Sequence, residues 1–123
     1  MSKIGRFEDL IAWQKSKALT KIIYEITRKP EFGRDFALAS EIQRAAVSIM
    51  SNVAEGFERG GPAEFHRFLF MAKGSCAEVR SLLYVAYDIG YLQKQEFERV
   101  FSQADEVAKI IGGLRVVIEK RKK

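Results

Sequence analysis

The chain predicts an all-α fold, an antiparallel up-down-up-down four-helix bundle. Apolar residues recur at three- and four-residue steps in four long segments, and no segment alternates apolar and polar residues as a strand would. The breaks between segments are short, at Pro30, Gly60-Gly61-Pro62 and Gly90, which favours antiparallel neighbours.

The first helix is expected over residues 8–29. Ile11, Ala18, Leu19, Ile22, Ile23 and Ile26 form its apolar face, and Gln14, Lys17, Lys21, Glu25 and Arg28 face out. Arg28 and Lys29 suit the negative end of the helix dipole, Pro30 stops the helix, and Phe32-Gly33-Arg34 reads as a turn. Asp35 is placed to cap a second helix over residues 36–58, whose apolar stripe is Ile42, Ala45, Ala46, Ile49 and Val53. Pro62 fits the first turn of the third helix. Its main stripe is Phe65, Phe68, Ala72, Cys76, Val79, Leu83 and Ala86. An offset stripe of Phe70, Ala77, Tyr84 and Tyr91 is a surface for a neighbouring subunit or the edge of a wide core face. Gly90 is placed as the C-terminal cap. The fourth helix, residues 94–120, carries Phe97, Phe101, Ala104, Val107, Ala108, Ile111, Leu114 and Ile118 at bundle spacing. Gly112-Gly113 inside it costs about 1 kcal/mol per glycine relative to alanine, so it marks a tight helix contact or a local kink.

Beside the stripe of the second helix runs an unusual set of small residues, Ala45, Ser48, Ser51, Ala54 and Gly56. Arg44, Ser48, Asn52 and Glu55 recur at three- and four-residue spacing and form one polar edge. A solvated face would carry long charged side chains. Small polar residues next to a packing stripe point to a specific hydrogen-bonded interface.

At 123 residues and 47% hydrophobic, the chain supports one folded domain, with the bundle over residues 1–119 and a basic tail at 120–123. Apolar runs are too short for a membrane span, and residues 1–6 lack the apolar core of a signal peptide. The single cysteine, Cys76, cannot form an internal disulfide, which points to a reducing cytoplasm, and its place in an apolar stripe makes it a small core residue. Four of the five net positive charges sit in residues 120–123, so the body is nearly neutral.

Signals for catalysis are poor. His66, the only histidine, has no partner at metal-ligand spacing and reads as an exposed or rim residue. Neither a phosphate-cradling P-loop nor a serine nucleophile elbow is present. Glu55 and Glu78 read as interhelical ion-pair or hydrogen-bond partners of Arg44, Arg59 or Arg80. An enzyme would require Glu55, Glu78 and His66 to converge in one cleft. No cofactor or metal is expected.

Three separated motifs carry a family resemblance: F-E-D-L-I-A-W-Q-K at 7–15, A-S-E-I-Q-R-A-A-V-S-I-M-S-N-V-A-E-G at 39–56, and E-F-H-R-F-L-F-M-A-K-G-S-C-A-E-V at 64–79. Over about residues 7–118 the chain resembles the four-helix-bundle family encoded by intervening sequences of 23S rRNA genes. The accessory variability determinants of diversity-generating retroelements share that architecture. Met50 stands where many relatives have a proline, which bears on whether the second helix is kinked there. The resemblance implies a homopentameric barrel, and its retroelement relatives are understood to associate with a reverse transcriptase and its RNA template.

The reading is therefore a cytoplasmic, non-catalytic, oligomeric accessory protein that binds structured RNA or DNA. Lys17, Lys21, Arg67, Lys73, Arg115, Lys120 and Arg121 are the basic surface candidates. Arg44, Ser48, Asn52, Glu55, Gly56, Ser75 and Glu78 are the oligomer-interface candidates. The alternative is a protein-protein interaction scaffold of the rRNA intervening-sequence class, whose ring binds a partner through the offset apolar stripe and whose charge serves solubility.

Overall fold

A computed structural model describes residues 4–121, so Lys122 and Lys123 of the basic tail lie outside the described residues. A 3-10 turn at Phe7–Asp9 precedes α1 (Ile11–Thr27), the one-turn α2 (Pro30–Arg34), α3 (Phe36–Glu58), α4 (Pro62–Asp88) and α5 (Lys94–Glu119). The four long helices pack around a ring in the order α1, α3, α4, α5, with α5 closing back on α1. Ion pairs fix the antiparallel sense of that closure: Lys29 meets Glu96 at one end, and Lys15 meets Glu106 further along.

Three of the four stripes are placed as the sequence expects. Ile42, Ala45, Ala46, Ile49 and Val53 of α3 are fully buried, as are Ala72, Cys76, Val79, Leu83 and Ala86 of α4, and Ala104 and Ile111 of α5. Each fully buried Ile or Leu contributes roughly 1.5–3 kcal/mol. α3 is continuous through Met50.

On α1 the buried face is turned from the expected one. Ala12, Ser16, Leu19, Ile23, Ile26 and Thr27 are inside, whereas Ile11 and Ala18 are exposed. Two hydroxyls account for the rotation. Ser16 Oγ donates to the Ala12 carbonyl (2.6 Å) and Thr27 Oγ1 to the Ile23 carbonyl (2.8 Å). A hydroxyl bonded to its own helix needs no water and can enter the core.

The helix boundaries also shift. Leu10 is extended (φ −73°, ψ 128°) and drops its side chain into the core, so α1 starts after it. At the other end Lys29 is extended (ψ 144°), as a residue before proline prefers, and α1 stops at Thr27. The expected turn at 32–34 is instead the single helical turn α2. It drives Phe32 fully into the core, where its ring stacks on Tyr91 (centroids 5.2 Å).

Asp35 caps α3 as expected, its Oδ1 accepting from the Leu38 amide (3.1 Å), while Oδ2 accepts from the Tyr91 hydroxyl (2.9 Å). Gly90 ends α4 at φ 90°, with its amide on the Tyr87 carbonyl and the Tyr91 amide on the Ala86 carbonyl. That pattern requires a left-handed residue, which glycine adopts without strain.

Cys76 is fully buried, and burial pushes its thiol from 9.0 up to about 11. The folded pKa lies above the unfolded one, so this contribution to stability is complete below about pH 9 and is lost as pH rises toward 11. Tyr91, whose hydroxyl donates to Asp35, is raised in the same direction. Cys76 is therefore expected to resist alkylation by iodoacetamide at pH 8 in the native protein and to react at once in denaturant. Fast native labelling would contradict its burial.

Candidate nucleic-acid and assembly surfaces

The polar edge of α3 faces α4 within the same chain. Ser48 and Ser75 share a hydrogen bond across the seam (3.0 Å), and Asn52 Nδ2 donates to both the Ser48 carbonyl (2.9 Å) and Ser48 Oγ (3.1 Å). Arg44 donates to Glu41 (2.8 Å) and reaches Glu78 (3.7 Å); its guanidinium holds the Glu41 carboxyl below the usual range. Glu55 pairs with Arg59 (3.0 Å).

Gly56 is buried in that seam. A Cβ there would lie 2.6 Å from Cβ of Phe68 and 3.2 Å from Cδ1 of Phe65. Among the polar contacts of this edge, Ser48–Ser75 and Arg44–Glu78 cross from α3 to α4, and the rest run along α3 itself. Of the seven, Arg44 and Glu55 remain exposed.

The α4–α5 seam has a different character. His66 Nε2 meets the Glu119 carboxylate (2.9 Å) at one end, so His66 is a rim residue that ties the two helices. Next come Arg115 over the Phe70 ring (5.2 Å), Lys73 alongside Gly112, and Arg80 with Asp105 (3.7 Å). The far end is an aromatic cluster of Tyr84, Tyr87, Phe97 and Phe101 with centroids 4.7–5.3 Å apart.

On the outside of this seam Phe70 is 62% exposed and Tyr84 52%, with Val85 and Val116 also exposed. Gly74, Gly112 and Gly113 lie on the same two helices. Among the described residues, nothing comes within 4 Å of a Cβ at Gly74 or Gly113, and the Lys73 side chain (3.7 Å) alone would meet one at Gly112. Among the described residues the Gly112-Gly113 pair is therefore not a tight helix contact: α5 runs through it, with Gly112 half-buried beside the Lys73 side chain and Gly113 exposed. Tyr91, grouped with Phe70 and Tyr84 by its spacing, instead packs on Phe32.

The expected basic residues divide by whether a carboxylate neutralises them. Arg67 forms a bidentate pair with Glu64 (3.1 Å for both bonds), which depresses the Glu64 carboxyl, and lies over Phe68 (4.7 Å). Lys17, Lys21, Lys73, Lys120 and Arg121 are exposed, Arg115 is half-buried, and none of these six makes an ion pair among the described residues. Arg67 is thus the one of the seven basic residues that a carboxylate pairs among the described residues.

Glu55, Glu78 and His66 do not share a cleft. Glu55 pairs with Arg59, Glu78 with Arg44 about three turns away along α3, and His66 with Glu119 on α5. Among the described residues no group of His, Cys, Asp or Glu could hold a metal ion, and no helix is long and apolar enough to cross a membrane.

Two surface features escaped the sequence reading. Gly74 sits between Phe70 and Ala77 on α4, and that spacing could have revealed it as part of an uncovered face. Trp13 stands four residues before Lys17, a separation that brings ring and ammonium together on one helix face.

The 23S rRNA-intervening sequence protein family matches residues 8–113. No curated protein matches the chain. A solved structure from Bacteroides thetaiotaomicron VPI-5482, described as a protein of unknown function from the S23 ribosomal protein family, superposes with a TM-score of 0.78. The two share 19% identity over 85% of this chain and 98% of the other, a likeness that speaks for the fold.

Proposed function

Because the chain belongs to the 23S rRNA-intervening sequence protein family, we propose that it works as a non-catalytic accessory protein that assembles with itself and binds nucleic acid. The assembly is a homopentameric barrel that offers a basic surface to structured RNA or DNA. It serves a nucleic-acid enzyme, specifically a reverse transcriptase of a diversity-generating retroelement.

The observation that carries the assembly is the uncovered outer face of α4 and α5. Gly74, Gly112 and Gly113 each cost a helix interior about 1 kcal/mol relative to alanine, and no close packing within one chain explains that cost. Close approach by a neighbouring bundle would explain it, and would also cover Phe70, Tyr84, Val85 and Val116. Arg44 and Glu55, exposed on the α3 side, remain available as polar rim contacts.

Assembly also gives the charge its effect. Five copies multiply a net charge of +5 fivefold and gather the six cations that form no ion pair among the described residues into a repeated field. Such a field attracts phosphate without reading sequence, and its binding falls steeply with salt. Anisotropy of a labelled structured RNA over a salt series tests this. Deleting residues 120–123 is expected to weaken binding and to lower the salt slope by as much as about 3 if all four cations touch phosphate. An unchanged slope would move the surface to Lys17, Lys21, Lys73 and Arg115 on the bundle body. A well-formed multimer that binds no nucleic acid would instead favour the protein scaffold reading, with the apolar face of α4 and α5 as its docking surface.

A further inference from the structure

The segment before α1 folds back along the helix and builds a groove. Gln14 Nε2 donates to the Glu8 carbonyl (2.9 Å), and the Phe7 ring meets Trp13 edge-on (centroids 5.2 Å, planes at 65°). Between them lies a groove of about 570 Å³ bordered by Arg6, Glu8, Trp13, Lys17 and Lys21. That volume is in the range of small-molecule sites.

The charges on its rim are unequal. Arg6 is engaged by Glu8 (3.7 Å) and Asp9 (3.5 Å), and neighbouring Lys15 by Glu106 (3.7 Å). Lys17 and Lys21 make no ion pair among the described residues. Lys17 Nζ instead rests 5.6 Å from the centroid of the Trp13 ring. The indole nitrogen of Trp13 has no hydrogen-bond partner among the described residues. A simple anion would use the two lysines and leave the ring idle, and a purely apolar ligand would do the reverse. A ligand that joins a flat aromatic ring to a phosphate uses both.

We infer that this groove binds one unpaired nucleotide of a nucleic-acid strand, with the base stacked on Trp13 and its phosphate held by Lys17 and Lys21. The inference rests on the nucleic-acid reading above and gives it a place on α1, apart from the outer face of α4 and α5. Base stacking on an aromatic ring is stronger than an exposed lysine–ring contact. The base therefore displaces Lys17 from the ring and frees its ammonium for phosphate. A duplex keeps its bases stacked internally and cannot fill the groove, so the site selects loops and single-stranded stretches. The antiparallel arrangement also puts the start of α1 at the same end of the bundle as Lys120 and Arg121, which extend the positive field around the groove.

Trp13 is the only tryptophan, so its fluorescence reports the ring directly. The full chain is titrated with an unstructured single-stranded ten-mer, a duplex of equal length and thymidine monophosphate. Binding of each strand is followed separately by anisotropy of a labelled copy. Saturable quenching by the single strand, with little by the duplex, is expected. Trp13→Leu is expected to lower single-strand affinity about tenfold. Lys17→Gln should lower the salt slope by roughly 0.7. If Trp13→Leu fails to fold, the wild-type quenching decides alone. Single-strand binding with unchanged Trp13 fluorescence would overturn the groove and leave the broader nucleic-acid reading standing. Absence of binding by either strand would overturn both. Equal quenching by the mononucleotide, with no strand binding, would assign the groove to a free nucleotide and overturn the strand as its occupant.

Discussion

Replacing Gly56 with alanine is expected to destabilise the bundle by about 1–2 kcal/mol, and replacing it with valine by about 3 kcal/mol or more. The added Cβ would stand 2.6 Å from Cβ of Phe68, an atom tied directly to the α4 backbone, so no side-chain rotation relieves the overlap. α3 and α4 would have to separate. Phe65 and Phe68 are held from other sides as well: Phe57 meets Phe65 edge-on (5.9 Å), and the Arg59 and Arg67 guanidiniums lie over Phe68 at 4.9 and 4.7 Å. The helix-propensity gain of alanine over glycine, about 1 kcal/mol, offsets part of the strain. Gly113→Ala supplies the contrast. Its Cβ meets nothing among the described residues of the chain, so that variant should gain about 0.5–1 kcal/mol in the isolated bundle. Urea midpoints that move in the same direction for both alanine variants would remove Gly56 from its role in the seam.

Gly74→Trp is expected to release single bundles from the assembly while leaving the bundle itself folded. The space around Gly74 is open within one chain, so an indole there is tolerated by the monomer. On a face that another bundle must approach closely, it holds the two apart. Light scattering after size exclusion, with far-ultraviolet circular dichroism on the same fractions, reads both parts of this expectation. An unchanged mass would place any contact between copies away from α4. Gly74→Ala separates the two effects: it should raise the stability of the isolated bundle by about 1 kcal/mol, whatever it does to assembly.

The stripes of α3, α4 and α5 were legible because purely apolar spacing defines them, and so were the Asp35 cap and the Gly90 terminus, where one residue type meets one backbone need. α1 was misjudged by one step around the helix because Ser16 and Thr27 look polar in a sequence and behave as buried residues once bonded to their own carbonyls. Phe32 was hidden in what reads as a turn, since a single helical turn leaves no periodicity to detect.

Among the surface candidates, residue type was legible and partnership was not. Arg67 carries the same charge as Lys73, but the neighbouring Glu64 neutralises it. In the edge of Ser48 and Asn52, Ser48 finds its partner in Ser75 on α4 of the same chain, whereas Asn52 bonds to Ser48 on its own helix. Sequence spacing describes one helix at a time, and it is silent on which neighbour supplies the other half of a contact.

The most direct measurement is the mass of the wild-type protein by sedimentation equilibrium over a wide concentration range. A single species near five times the 14.0 kDa chain mass is expected, with the glycine-rich face of α4 and α5 covered. A mass of 14.0 kDa at every concentration would contradict the account, because the exposed sides of Phe70 and Tyr84 and the open faces of Gly74 and Gly113 would then stay uncovered.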